Sequence, residues 1–173
     1  MFIRIKRIKG GEYAYLVKNK WTSKGPRQKN IKYLGKCLTF QRTRDSNLTE
    51  FLRIKSLEQY IEKSSLSAIF DDLIRLELFN HDFTNSSNKW VKEDIVVNLK
   101  SHFCLLGKKN IVLKLNEGFL CRQTMLKLLK FKPEEGLHEE EIALKLANTL
   151  LGTGLKVEKR VFVGLCNKLF KLI

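Results

Sequence analysis

The chain reads as an α+β protein in which a small three-stranded antiparallel N-terminal meander is joined to a mainly helical body. Two patterns predict this. From Phe2 to Leu34 side chains alternate at period two between turn signals, the mark of strands with one buried face. From Thr49 onward apolar residues return at spacings of three and four, the mark of amphipathic helices. The resulting division is 1–36 basic meander, 37–48 connector and 49–173 helical body of five or six helices, with two lobes parting near 80–89.

Each element has its own signal. Ile3 and Ile5 alternate with Arg4 and Lys6, and Gly10-Gly11 supplies the positive φ of a tight hairpin turn. Tyr13, Tyr15 and Val17 carry a second strand, Ser23-Lys24-Gly25-Pro26 breaks it, and Arg27 to Leu34 forms a third that ends at Gly35. Regular alternation there puts Arg27, Lys29, Ile31 and Tyr33 on one face and Gln28, Asn30, Lys32 and Leu34 on the other. The polar run Gln41 to Asn47 is the connector. Phe51 to Ile61 predicts one helix, and Leu66 to about Phe79 a second beyond Ser64-Ser65. His81 to Asn88 reads as a loop.

Trp90 to Leu106 predicts a helix on Ile95, Leu99, Phe103 and Leu106, with Gly107 as its C-terminal cap, although Val96-Val97 leave room for a short strand. Asn110 to Leu115 is β-branched enough for a strand or extended segment. Arg122 to Phe131, Glu139 to Leu151 and Val157 to Ile173 predict the last three helices, separated by Pro133 and by Gly152-Thr153-Gly154.

Composition narrows the function classes. The chain has 173 residues, 43% of them hydrophobic and 29% charged, the range of a folded globular protein. No run of about 18 apolar residues occurs, which argues against a membrane-crossing helix. Charges interrupt the first six residues, unlike a signal peptide, so the expected location is cytoplasmic. Cys37, Cys104, Cys121 and Cys166 lie far apart, without C-x-x-C spacing, and read as reduced, small apolar side chains.

Charge is the sharpest signal. The chain carries a net +15. Residues 1–36 hold eleven basic side chains and one acid, Glu12, a net of +10, whereas the other 137 residues hold 22 basic and 17 acidic groups, a net of +5. So concentrated a field implies a polyanionic partner. Basic groups interleaved with Tyr13, Tyr15, Trp21 and Tyr33 suit phosphate contacts beside stacking or sugar packing. The candidate contacts are Arg4, Lys6, Lys18, Lys20, Trp21, Lys24, Arg27, Lys29 and Lys32, with Lys18 to Lys29 as a projecting tip.

Catalytic patterns are missing from the sequence: it has no Gly-rich phosphate loop, no G-x-S-x-G and no H-E-x-x-H. His81, His102 and His138 lack ligand spacing and read as surface or cap residues. Glu134, Glu135, Glu139, Glu140 and Glu141 read as a solvated helix start favoured by the macrodipole, not a metal site. Asp71 and Asp72 diverge by about 100° on a helix.

The stretch Met1-Phe2-Ile3-Arg4, Lys9-Gly10-Gly11-Glu12-Tyr13-Ala14-Tyr15-Leu16-Val17, Gly25-Pro26-Arg27-Gln28-Lys29 and Lys32-Tyr33-Leu34-Gly35 resembles the β-rich N-terminal segment of DDE-type insertion-sequence transposases. The likeness covers about 35 of the 173 residues. It implies DNA contact by a basic meander in an archaeal or mobile-element setting. The remainder is short for that family and lacks three spaced acids on an RNase H-like core, so the resemblance implies a DNA-associated module without a catalytic half.

The expectation is a non-catalytic nucleic-acid-binding protein, with duplex DNA favoured over RNA, no cofactor, no metal and no membrane. The helical body would offer a surface for a protein partner or for self-association, with core the favoured role of its last helix. The alternative is an assembly or adaptor protein of a ribonucleoprotein or mobile-element complex. A metal-dependent nuclease using Glu134 to Glu141 stands third.

Overall fold

A computed structural model describes residues 1–23, 25–87, 89–134 and 136–171. Its centre is one mixed sheet, not a small meander beside a helical body. Nine strands are present among the described residues: β1 (Phe2–Ile8), β2 (Gly11–Thr22), β3 (Gly25–Phe40), β4 (Thr84–Ser86), β5 (Lys89–Lys92), β6 (Ile95–Asn98), β7 (Phe103–Leu106), β8 (Lys109–Leu115) and β9 (Gly118–Leu120). Six helices accompany them: α1 (Leu48–Leu52), α2 (Leu57–Lys63), α3 (Leu66–Asn80), α4 (Arg122–Leu129), α5 (Glu139–Thr153) and α6 (Lys159–Phe170).

The predicted fold class is therefore corrected: strands contribute as much architecture as helices, and they continue well beyond the N-terminal segment. The strand order is β1-β2-β3-β8-β7-β6-β5-β4, with β9 also paired to β8. β3 runs on to Phe40 and joins β8 as a parallel pair, Lys36 to Phe40 against Ile111 to Leu115. The expected helix from Trp90 to Leu106 is instead three short strands. A spacing of four is a multiple of two as well as close to 3.6, so Ile95, Leu99 and Phe103 fit either period. Left-handed turns at Glu93 (φ 52°) and His102 (φ 57°), neither of them glycine, decide for strands.

The remaining helices hold their predicted places with one break. Arg53 turns left-handed (φ 53°) and ends α1, and Ser56 accepts from the Gln59 N–H to start α2, so Phe51 to Ile61 is two short helices. Asn47 and Glu50 form a reciprocal capping box on α1, and Ser65 caps α3. Residues 172 and 173, expected in the last helix, lie outside the described residues.

Two cores occupy opposite faces of the sheet. Ile111, Leu113 and Leu115 of β8 enter the large core with Ile69, Phe70 and Ile74 of α3 and Leu165 and Leu169 of α6. Val112 alternates away from them, and with Ala14, Cys37 and Cys121 it forms a small second core flanked by Ile3, Ile5 and Phe119.

A buried carboxylate ties the sheet to the helices. Glu77 of α3 is 2% exposed and accepts from Arg42 Nη1 (2.7 Å), Asn116 Nδ2 (2.9 Å) and the Lys156 N–H (2.9 Å), with His81 Nδ1 at 3.2 Å. Burial pushes its carboxyl upward, but the bonds from His81, Lys156 and Asn116 and the Arg42 charge outweigh burial and hold it below the ordinary glutamate value. The Asn80 carbonyl accepts from the Thr43 and Arg44 N–H groups, and the Asn80 amide exchanges two bonds with Ser46, which straps residues 43–46 onto α3.

Candidate nucleic-acid interface

Past Val17, where pairing to β1 ends, β2 and β3 continue alone as a two-stranded arm of five pairs, from Lys18 opposite Lys29 to Thr22 opposite Gly25. At about 3.4 Å per residue the arm extends about 17 Å beyond β1. Thr22 Oγ1 donates to the Gly25 carbonyl at 2.7 Å and closes the tip. Lys24, predicted at that tip, lies outside the described residues.

Residues directly opposite share a face, so Lys18, Lys20, Arg27 and Lys29 stand together, neighbours being about 5 Å apart across the strands and about 7 Å along them. Along β2 the row Ala14, Leu16, Lys18, Lys20 changes from buried apolar to exposed cationic just where β1 stops. The body below that point covers the row; the arm leaves it to solvent.

Two β-bulges in β3 alter the face assignment predicted from regular alternation. Val17 pairs with Asn30 while Leu16 pairs with Lys32, and Tyr15 pairs with Tyr33 while Ala14 pairs with Gly35. Ile31 and Leu34 are thus extra residues, and each inverts the phase of the strand beyond it. Lys32 joins Arg27 and Lys29 on the cationic face, and Tyr33 joins Gln28 and Asn30 on the other. Gly35 holds φ +134°, and a Cβ there would stand 2.3 Å from the Asn110 carbonyl oxygen, so only glycine lets β3 close onto β8.

The opposite face is aromatic. Arg4 stands opposite Tyr15 and Lys6 opposite Tyr13. Tyr33 lies 5.3 Å from Tyr15 and 6.4 Å from Tyr13 between ring centroids, and Lys6 Nζ sits 4.8 Å over the Tyr15 ring. Burial, then the neighbouring phenols of Tyr15 and Tyr13, push the Tyr33 hydroxyl upward. Trp21, 80% exposed, lies on the same row at the tip. The predicted contacts thus divide: Lys18, Lys20, Arg27, Lys29 and Lys32 on one face, Arg4, Lys6 and Trp21 on the other.

The electrostatics of the two regions differ in kind. Residues 13–44 contain nine basic side chains and no acid. Of these, Arg42 and Arg44 are taken up by Glu77 (2.7 Å) and Asp82 (2.6 Å), and outside the segment Arg7 by Glu12 (3.0 Å). Among the described residues no ion pair engages Lys18, Lys20, Arg27, Lys29 or Lys32. At the root of the arm Lys32, Asn110, Arg122 and Gln123 line a groove of about 350 Å³. Arg122 carries no sequence signal for this role; the tertiary fold brings the start of α4 to the groove that Lys32 lines.

No family model, no curated protein and no solved structure matches this chain. Three of the other candidate carboxylates are engaged locally. Glu134 pairs with Lys145 (2.7 Å), Glu141 accepts from the His138 N–H at the start of α5, and Tyr60 donates to Asp72 (2.6 Å). Glu135 lies outside the described residues. His81 ends α3 and is fully buried.

Proposed function

We propose that this protein is a non-catalytic nucleic-acid-binding protein that grips duplex DNA through the cationic face of the β2–β3 arm. The observation that carries the reading is that Lys18, Lys20, Arg27, Lys29 and Lys32 share one projecting face with no acidic partner among the described residues. Such a face neutralises phosphates and releases counterions. A two-stranded ribbon fits the roughly 12 Å major groove of B-form DNA, whereas the deep, narrow major groove of A-form RNA does not admit it. The resemblance of residues 1–35 to the DNA-contacting end of transposases supports the same polymer. Arg122 beside Lys32 would carry the contact from the arm onto the body.

The test is a salt titration of binding to matched duplex DNA, single-stranded DNA and duplex RNA. Five phosphate contacts give a slope of log K against log salt of about −4.5 on B-form DNA, or a loss of about 500-fold between 50 and 200 mM. Replacing Lys18, Lys20, Arg27 and Lys29 together by alanine should flatten the slope by about 3.6. Absence of binding to all three polymers at low salt would end the reading. A preference for duplex RNA would favour the second reading, an assembly protein of a ribonucleoprotein or mobile-element complex whose body meets a protein partner. That reading draws on Leu144 and Leu151, seven residues apart on α5 and both more than half exposed.

A further inference from the structure

The arm's second face has no part in duplex binding by the cationic one, and its composition is different. Tyr13, Tyr15 and Tyr33 form a contiguous cluster, and Trp21 stands on the same row of β2 at the tip, beyond Val17 and Asn19. Tyr33 is 52% exposed and Trp21 80%. Cross-strand stacking accounts for a Tyr15–Tyr33 pair on a sheet surface, but it gives no reason for an exposed tryptophan out on the arm, past the end of β1 pairing at Val17.

A side-chain bridge crosses this face. Arg4 of β1 reaches across β2 to donate to the Gln28 side chain on the arm. The two bulges bend β3 in the same region, since each adds a residue to one strand only. Val17, on the row between Tyr15 and Trp21, is fully buried. The rings on this face are rimmed by Arg4, Lys6 and Lys36 and by the amides of Gln28 and Asn30.

We infer that this face is a second binding site, which takes the unpaired bases of a single-stranded nucleic acid by stacking them on Tyr33, Tyr15 and Trp21. Every base presents a π-face, so aromatic rings flanked by cations hold single strands without reading their sequence. Amide side chains at the rim add donors and acceptors for base edges once bases are unstacked from a partner strand. The two faces of the arm thus engage different forms of one polymer, which suits a junction between duplex and single strand. The choice of ligand class rests on the nucleic-acid reading above.

The experiment compares two strands of equal charge, an oligothymidylate of about 12 nucleotides and an abasic sugar-phosphate strand of the same length. Fluorescence anisotropy of the labelled strands reads both affinities. The wild-type protein should prefer the base-bearing strand by roughly 5- to 150-fold for each base stacked. Tyr33→Ala and Tyr15→Ala should remove that preference while leaving duplex affinity unchanged, and Tyr33→Phe should retain it. Equal wild-type affinity for the two strands overturns the inference, and so does a preference that survives both alanine variants. The wild-type ratio needs no variant, so a variant that fails to fold does not shelter the idea. Loss of the arm's phosphate contacts lowers both strands alike, so failure of the duplex reading is told apart from failure of this one.

Discussion

Replacing Glu77 by glutamine keeps its size and removes its charge where four donors converge. The carboxylate's Oε1 takes Arg42 and Asn116, and Oε2 takes the Lys156 N–H. Glutamine offers one acceptor oxygen, so one side must face an NH₂ group with a buried donor. The loss of a charged hydrogen bond costs about 1.5–3 kcal/mol and the orphaned donor about 1–3 kcal/mol more. A total of about 3 to 5 kcal/mol agrees with the cost of breaking a buried ion pair from one side. Urea unfolding followed by circular dichroism should show a lower midpoint at an unchanged slope, and Tm should fall by about 10 °C or more. The exposed pair Lys156–Asp45 provides the contrast, since Asp45→Asn should change stability by no more than about 0.5 kcal/mol. The pH dependence has a definite sign. A carboxyl held lower in the folded state than in the unfolded one stabilises fully above its unfolded value, about 4.3, and loses that contribution as pH falls through the folded value. Wild type should therefore lose stability more steeply than Glu77→Gln below about pH 4.3. A loss under about 1 kcal/mol at neutral pH, or parallel acid profiles, would refute the bridging role.

Two further outcomes test the fold. Gly35→Ala forces a Cβ to within 2.3 Å of the Asn110 carbonyl at a φ that alanine resists, so it should cost more than about 2 kcal/mol in the same urea assay, against about 0.5 kcal/mol for an unstrained site. All four cysteines are buried, and burial pushes the Cys37 thiol to about 11 and those of Cys104 and Cys166 upward as well. A disulfide reagent at pH 8 should leave the native thiols largely unreacted and titrate four once the chain is denatured; fast native reaction would place one of them at the surface.

The legibility of the chain depends on which interactions are local. Helices α3 to α6 announce themselves because each carries an apolar stripe, and some carry clear caps, such as Ser65 for α3 and Gly154 for α5. The first three strands are visible because they alternate between turns that use Gly10-Gly11 and Gly25. Strands β5 to β7 are not, because Glu93 and His102 make left-handed turns without glycine, and residues four apart satisfy both periods. The parallel pairing of β3 with β8 spans some seventy residues of chain, and no local pattern encodes it. The site is split in the same way. The charge excess of the arm is plain in the sequence, but the sorting of Lys32 from Tyr33 depends on bulges that only the pairing register reveals.

The cationic face of the arm is built against the arm's own stability, and this gives a prediction in which folding and binding move apart. Like charges about 7 Å apart in water repel by about 0.6 kcal/mol, and those directly opposite on a sheet are destabilising. Lys18 faces Lys29 and Lys20 faces Arg27, so the arm holds two such pairs with no acid to relieve them among the described residues. Lys29→Glu turns one repulsive pair into an attractive one. It should raise stability by about 0.5–1 kcal/mol at low salt, and the gain should shrink as salt screens it. On duplex DNA the same change should weaken binding and make the salt slope shallower by about 1 to 2, because one phosphate contact is lost and a like charge replaces it. A merely solvated face predicts the first effect without the second. Weaker folding in Lys29→Glu, or unaltered DNA affinity alongside better folding, would remove the reason for keeping five cations on one face; opposite movement of the two quantities identifies the polyanion as what that face is built to meet.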